Sequence, residues 1–347
     1  MRSDPAPDAR LQTAPAEVTL IFTEQVTPAG PGIRVYAPSG AQVAGAVVAR
    51  GTTLSAPMTS SETGTFIVSW EVFAADTHPS RGVFSFTVGA PSSNPYSALL
   101  TSGEIGTSTP LGLVLQALAH WIHFAGFALV FGVAGYRVLT RGGGFNRTLG
   151  AGVALLIAAE PVAVVAQLAS LSFDGDTAVA VLGSGFGRLV ALRLAAALLA
   201  WTVMAIGRSW PLLAIGAAVA LLDGFGAHAI AGLPGVGQVL VAVHVGAMGL
   251  WAGGLAAYAQ RPDRRFVRYA AATFGVAAGS GLLLAFAHTA YVSALIDTDY
   301  GRVLLLKVAI VGAVLVTVLL RRRRLELGGA AAIIAVAALV AALPPSR

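Results

Sequence analysis

The sequence predicts a two-part protein: an N-terminal all-β sandwich over residues 1–90, a linker over 91–110, and an α-helical membrane bundle of about eight spans over 111–347. Three observations predict it. Only 11% of the 347 residues are charged and 56% are hydrophobic, whereas soluble proteins carry about 25% charged residues. The polar residues are concentrated in the first ninety or so positions, which read as a water-soluble domain. From Leu111 onward, apolar stretches long enough to cross a bilayer follow one another. The mean hydropathy of +0.77 agrees, and an ordinary soluble globular protein is excluded. The net charge of +6 would suit a nucleic-acid partner, but the placement of the arginines explains it better by membrane topology. No nucleic-acid partner is expected.

The strands of the first part are short β-branched or aromatic runs: Val18–Phe22, Gly32–Tyr36, Gln42–Ala49, Thr65–Val72 and Gly82–Val88. Turn signals separate them, among them Pro28-Ala-Gly-Pro31, Pro38-Ser-Gly40 and Thr63-Gly64. Close spacing without a helical period is the pattern of a small sandwich. Residues 91–110 are rich in Gly, Ser, Thr and Pro, the composition of a linker.

Spans are expected at 111–136, 148–172, 186–206, 210–232, 236–259, 269–296, 302–320 and 327–343, the last being short. Loops after the first, third, fifth and seventh hold Arg141 and Arg147, Arg208, Arg261 to Arg268, and Arg321 to Arg324. The alternate loops hold Asp174 and Asp176, no charge, and Asp297 and Asp299. The positive-inside rule makes the arginine loops cytoplasmic and places the β domain and the C-terminus outside the membrane. An outer N-terminal domain arrives by way of a signal peptide. The opening MRSDPAPDAR has no apolar core of that kind, so an upstream start is expected.

The chain has no cysteine, which excludes disulfides, Fe–S clusters, thiolate zinc sites and cysteine nucleophiles. A metal site must then use His, Met or carboxylate. Of the six histidines, His78 lies in the β domain and His120, His123, His228, His244 and His288 in the spans. At 1.5 Å per residue, His120, His244 and His288 come out at roughly 12–13 Å below the outer face, His228 near roughly 7 Å, and His123 near the midplane. His120 and His123 share a helix face, as do His244 and Met248. Any one of these can be a bundle histidine hydrogen-bonded to a neighbouring helix. Three at one depth on three helices point instead to a metal or cofactor site.

Four further charges sit inside the spans: Glu160, Arg193, Asp223 and Lys307. Two acids and two bases neutralise each other pairwise, and interhelical ion pairs are expected for Arg193 and Lys307. Glu160 precedes Pro161, where a missing helical hydrogen bond leaves polar backbone, so Glu160 is the candidate for a cation path. In the β domain, Asp76 and His78 form a D-x-H triplet whose side chains share one side of an extended strand. One carboxylate and one imidazole suit Cu(II) among other borderline ions.

Residues 3–90 resemble the CopC copper-binding domain, an Ig-like, Greek-key sandwich. The blocks SDPAPDARLQTAPAEVTLIFTEQV and SWEVFAADTHPSRGVFSFTVG carry that likeness. Residues 111–320 resemble the CopD membrane domain through GAHAIAGLP, HVGAMGLWAGGL and SGLLLAFAHTAYVSALIDTDYGRVLLLKVAIV. The domain order resembles that of the fused CopC–CopD, YcnJ-like proteins of bacteria. The resemblance implies an outer Cu(II) site and copper movement through the helices, usually uptake. It carries Asp76 and His78 over as ligands, with Glu24 as a further one. The principal ligand of that family, a mature N-terminal histidine, has no counterpart before Ser3, where only Met1 and Arg2 stand. Its methionine-rich Cu(I) site has none either, since Met58 is the only domain methionine besides Met1.

Copper import is therefore the function expected: the outer domain captures Cu(II), and His120, His123, His228, His244 and His288 relay it. No P-loop is visible, and the membrane potential, about 2.3 kcal/mol per charge per 100 mV, favours inward cation flow. Two alternatives stand beside it. One is a haem-binding electron-transfer or cupric-reducing protein. The other is a copper-delivery or assembly factor, with an extracytoplasmic copper chaperone or cuproenzyme as partner. No catalytic triad, nucleophile elbow or paired-carboxylate site is visible, so no enzyme is expected.

Overall fold

The computed structural model describes residues 1–74, 79–102, 109–227, 233–289, 291–319 and 323–343. They form two compact units, residues 1–112 with 167–187, and residues 113–166 with 188–347. The strands are β1 (Arg2–Asp4), β2 (Arg10–Leu11), β3 (Glu17–Ile21), β4 (Val26–Tyr36), β5 (Val48–Arg50), β6 (Thr53–Pro57), β7 (Gly64–Ala74) and β8 (Pro79–Val88). The helices are α1 (Ala98–Ser102), α2 (Pro110–Phe127), α3 (Val133–Thr140), α4 (Asn146–Ser170), α5 (Gly175–Gly183), α6 (Gly185–Ile206), α7 (Ser209–Phe225), α8 (Pro234–Gln260), α9 (Arg265–His288), α10 (Ala294–Asp297), α11 (Asp299–Leu319) and α12 (Arg323–Ala342). A π-helical turn, Ala128–Gly132, joins α2 to α3.

In the first unit two four-stranded sheets, β1-β3-β6-β5 and β2-β8-β7-β4, form a sandwich. Period-two alternation sends Val18 and Leu20 of β3, Leu54 and Ala56 of β6, Val68, Trp70 and Val72 of β7, and Phe84 and Phe86 of β8 into one core. Phe66 and Phe86 stack there at 5.1 Å. Gly82 lies beneath Trp70, where a Cβ would come within 2.6 Å of the indole. That approach is why a strand interior carries glycine.

Four of the expected strands correspond to β3, β4, β7 and β8. The expected run Gln42–Ala49 is strand only at its end, in β5. Its earlier part makes isolated bridges, Tyr36 to Gln42 and Ala44 to Met58. β6 lacks the β-branched signature yet pairs fully with β3, because its alternate residues Leu54 and Ala56 fill the core.

The start of the expected linker is bound to the sandwich. The buried Asn94 side-chain amide donates to the carbonyls of Tyr36, Ala37 and Thr65 at 3.2, 3.0 and 2.9 Å, and Tyr96 stacks on Tyr36 at 4.0 Å. The outer face of the β2-β8-β7-β4 sheet is also covered. Ala29 and Phe73 pack with Leu171 and Val181, which flank and belong to α5. Asp174 caps α5, accepting from the Thr177 backbone N–H at 2.8 Å and its hydroxyl at 3.0 Å. Hydrogen bonds from Ser172 and Thr177 hold the Asp174 carboxyl down at about 2.

Among the described residues, seven helices are long and apolar enough to cross a membrane. The expected fourth span, 210–232, yields only the 17-residue helix α7; residues 228–232 lie outside the described residues. At 1.5 Å per residue α7 is about 26 Å long, a little under a bilayer core of about 30 Å. The last expected span, thought short, does qualify, as Leu325–Ala342. The second unit is held by close helix crossings at glycines. A Cβ on Gly253 of α8 would fall on the Ala128 carbonyl, and one on Gly132 would fall on the Gly249 carbonyl. Gly249 and Gly253 are four apart, the small-residue spacing that lets membrane helices touch. A Cβ on Gly126 of α2 would come within 2.8 Å of the Gly152 carbonyl of α4.

Two outcomes follow from these contacts. Gly253→Val should cost about 3 kcal/mol or more through overpacking, read as a lower Tm of the detergent-solubilised protein. Gly275→Val, in open space, should be nearly silent. A carboxyl held down at about 2 stabilises the cap fully above its ordinary value near 4 and loses that contribution as pH falls toward 2. Hydrogen-exchange protection of the Thr177 amide should therefore collapse over that window. Asp174→Asn should remove the pH dependence.

Candidate functional site

One end of the sandwich is defined by Glu24 and three strand termini. Glu24 lies in the bend between β3 and β4, half-buried. The β4–β7 ladder ends at Val26 opposite Ala74 and the β7–β8 ladder at Phe73 opposite Pro79. β1 begins with Arg2 opposite Ile21. Glu24, the end of β7, the start of β8 and the start of β1 thus share one end of the sandwich. Asp76 and His78 lie outside the described residues. On the outward side of β7, burial pushes the Glu71 carboxyl up, against the opposing pull of Arg34 and Arg81.

In the helical unit His123, Glu160, Arg193 and Asp223 form one network drawn from four helices. Asp223 of α7 forms an ion pair with Arg193 of α6 at 2.9 Å and faces His123 Nε2 of α2 at 3.1 Å. His123 Nδ1 faces Glu160 of α4 at 3.4 Å. His123, Glu160 and Asp223 are all buried. The expected pairing of acids with bases therefore holds for Arg193 with Asp223. It does not hold for Glu160 with Lys307: Glu160 pairs with the imidazole of His123, and Lys307 reaches His244. Each ring nitrogen of His123 has a carboxylate oxygen opposite it, so neither points to open space for a metal ion.

His244 of α8 is held differently. Its Nδ1 lies 2.9 Å from the Ala277 carbonyl and 3.2 Å from the Ser280 hydroxyl of α9. Its Nε2 lies 3.5 Å from Lys307 Nζ of α11. His120 stacks on Phe124 at 5.9 Å. His288 is the last residue of α9, followed by the extended Thr289. The expected span ran on to Ile296, but a separate short helix, α10, takes up Ala294–Asp297. Counting depth along one helix from Ile296 to His288 therefore fails. His228 lies outside the described residues. Among the described residues no group of three or more His, Asp or Glu is arranged to hold a metal ion. The expected three-histidine cluster is not assembled.

At the opposite sequence ends of these helices the arginine loops meet. Arg261 donates to the Gly143 carbonyl at 3.1 Å and lies 5.2 Å over the Phe145 ring. Arg137 donates to the Gly207 carbonyl at 3.1 Å, and the Tyr136 hydroxyl donates to the Arg261 carbonyl. Sequence patterns had not shown that these loops touch.

Comparison with known families matches residues 1–89 to the CopC domain. Residues 1–89 are a β sandwich of the CopC type. Solved structures similar to this chain include CopC from Methylosinus trichosporium OB3b, 24% identical, covering 28% of this chain and 96% of that one with a TM-score of 0.24. PcoC, a methionine-rich copper resistance protein from Escherichia coli, is 27% identical over 26% of this chain and 95% of that one, with a TM-score of 0.23. Comparison with curated proteins finds no match. The match covers the sandwich, and the described helices that follow it include seven long and apolar enough to cross a membrane. In this CopC domain Met58 is buried within the sandwich core, so its thioether is committed to packing.

The buried network generates its own outcome. Breaking a buried ion pair by removing one partner costs about 3–5 kcal/mol, because the other charge is left uncompensated. Arg193→Met should therefore lower the Tm strongly, while Arg193→Met with Asp223→Asn should recover most of it. A double-mutant cycle on the solubilised protein measures this coupling.

Proposed function

We propose that the protein moves copper inward across the bacterial plasma membrane, with the CopC domain outside as the capture site and bundle histidines as later binding positions. The observation that carries this reading is a match to the CopC domain followed, among the described residues of the same chain, by seven apolar helices. The likeness of residues 111–320 to CopD belongs to the same reading. Copper is the cargo; Glu24, Asp76 and His78 are the outer ligands, and Cu(II) is the ion their oxygen and imidazole donors suit.

The orientation rests on the arginines. The loops carrying Arg141, Arg208 and Arg261 adjoin one another through the Arg261–Gly143 and Arg137–Gly207 bonds, which supports one common basic side. The positive-inside rule makes that side cytoplasmic, and the CopC domain and C-terminus are then outside.

Among the bundle histidines, His244 has the environment a ligand needs. Its Nδ1–H is fixed by a backbone carbonyl, the second partner that metal-binding imidazoles characteristically have. His123 is assigned to charge balance, and His120, His228 and His288 remain further relay positions. Bis-histidine haem ligation finds less support, because His123 faces carboxylates on both sides and His244 faces Lys307.

The test is copper accumulation by cells lacking the protein under copper limitation, complemented with wild type or His244→Ala. Lower accumulation in the deletion, restored by wild type and restored severalfold less well by His244→Ala, is the expected result. Normal accumulation with a failing cuproenzyme would instead establish the delivery role, and a Soret band in the purified protein would establish haem.

A further inference from the structure

The surroundings of His244 settle the direction of every hydrogen bond at its ring. The Ala277 carbonyl accepts only, so Nδ1, 2.9 Å away, carries the proton. The Ser280 hydroxyl donates its own proton to the Val276 carbonyl at 2.6 Å, so its oxygen too is an acceptor for Nδ1–H at 3.2 Å. With Nδ1 protonated, Nε2 holds the lone pair. The ring is packed against α9 at Gly281, where a Cβ would come within 2.8 Å of Cε1. The imidazole is thus locked in tautomer and in orientation, with its ligating nitrogen aimed toward α11.

The group facing that nitrogen is Lys307 Nζ, 3.5 Å away. An ammonium has three donors and no acceptor, so it serves as a cation bound to the same lone pair that a metal ion would use. It is carried on a flexible four-carbon stem, which lets it swing aside without moving a helix. Given the reading that bundle histidines bind copper, on which this inference rests, we propose that Lys307 is a tethered cation that occupies Nε2 of His244 and must be displaced before a metal ion binds there. A resident cation keeps the imidazole nitrogen satisfied in hydrocarbon when no metal is present. It also weakens metal binding by competition and by repulsion, so that an ion entering the position is readily released.

The experiment uses the full chain in lipid nanodiscs, with Asp76→Ala and His78→Ala removing copper binding by the outer domain. Cu(I) buffered by a chromophoric chelator is the probe. Lys307→Met, and Lys307→Gln should the first variant fail to fold, is expected to tighten binding by about tenfold or more, as removal of a unit charge at this distance requires. Lys307→Arg, which keeps a cation, should bind close to wild type, and His244→Ala should abolish the tightened site. If His244→Ala lowers copper binding but neither Lys307→Met nor Lys307→Gln tightens it, the tethered-cation role is overturned while the relay reading stands. If His244→Ala changes nothing in any background, the relay position and this inference fall together.

Discussion

Hydrocarbon cannot solvate charge, and the packing of the helical unit follows from that constraint at Asp223. A lone carboxylate there would be prohibitively costly. Asp223 is instead met by Arg193 at 2.9 Å and His123 at 3.1 Å, and His123 in turn meets Glu160. One network thereby joins α2, α4, α6 and α7. Close crossings at Gly126, Gly132 and Gly253 bring backbones near enough for such short side chains to meet. Glycine contacts and charge pairing are two parts of one solution: close packing excludes lipid and water, and the charges must then find each other.

The two histidine environments differ in kind. His123 is enclosed by acids and serves the electrostatic balance of the helices. His244 is turned by a carbonyl and a hydroxyl so that one nitrogen keeps its lone pair. At the sandwich, ladder ends bring Glu24, the end of β7, the start of β8 and the start of β1 to one end. Short, antiparallel pairing makes this possible, since hairpin ends and strand starts fall together wherever the register closes.

Much of the fold was legible because it is written in local periodicity. Val18–Ile21 and Thr65–Val72 alternate, and the long apolar stretches are too long for a soluble core. The strand β6 was not legible, because TLSAP has no β-branched alternation and becomes a strand through its partner β3. The end of the sixth expected span was misread for a related reason. Apolar composition continues from His288 to Ile296, but the backbone turns extended at Thr289, and composition carries no signal for that turn. The depth count for His120, His244 and His288 runs along one helix for His120 and His244, whose helices begin at Pro110 and Pro234. It failed where the helix itself ended.

The sequence by itself determined the division into a sandwich and a membrane part, the CopC likeness of the first, the side on which arginines gather, and the chemistry available without cysteine. These are properties of composition and short-range pattern, which the solvent reads residue by residue. Only the tertiary structure decided which charge meets which. Two acids and two bases allow two pairings, and counting cannot choose between them. Helix neighbours chose Arg193 for Asp223, gave Glu160 an imidazole, and set Lys307 against His244. The reason is reach: a side chain in hydrocarbon can satisfy its charge only with a partner within a few ångströms, and the crossing of helices alone settles who that is.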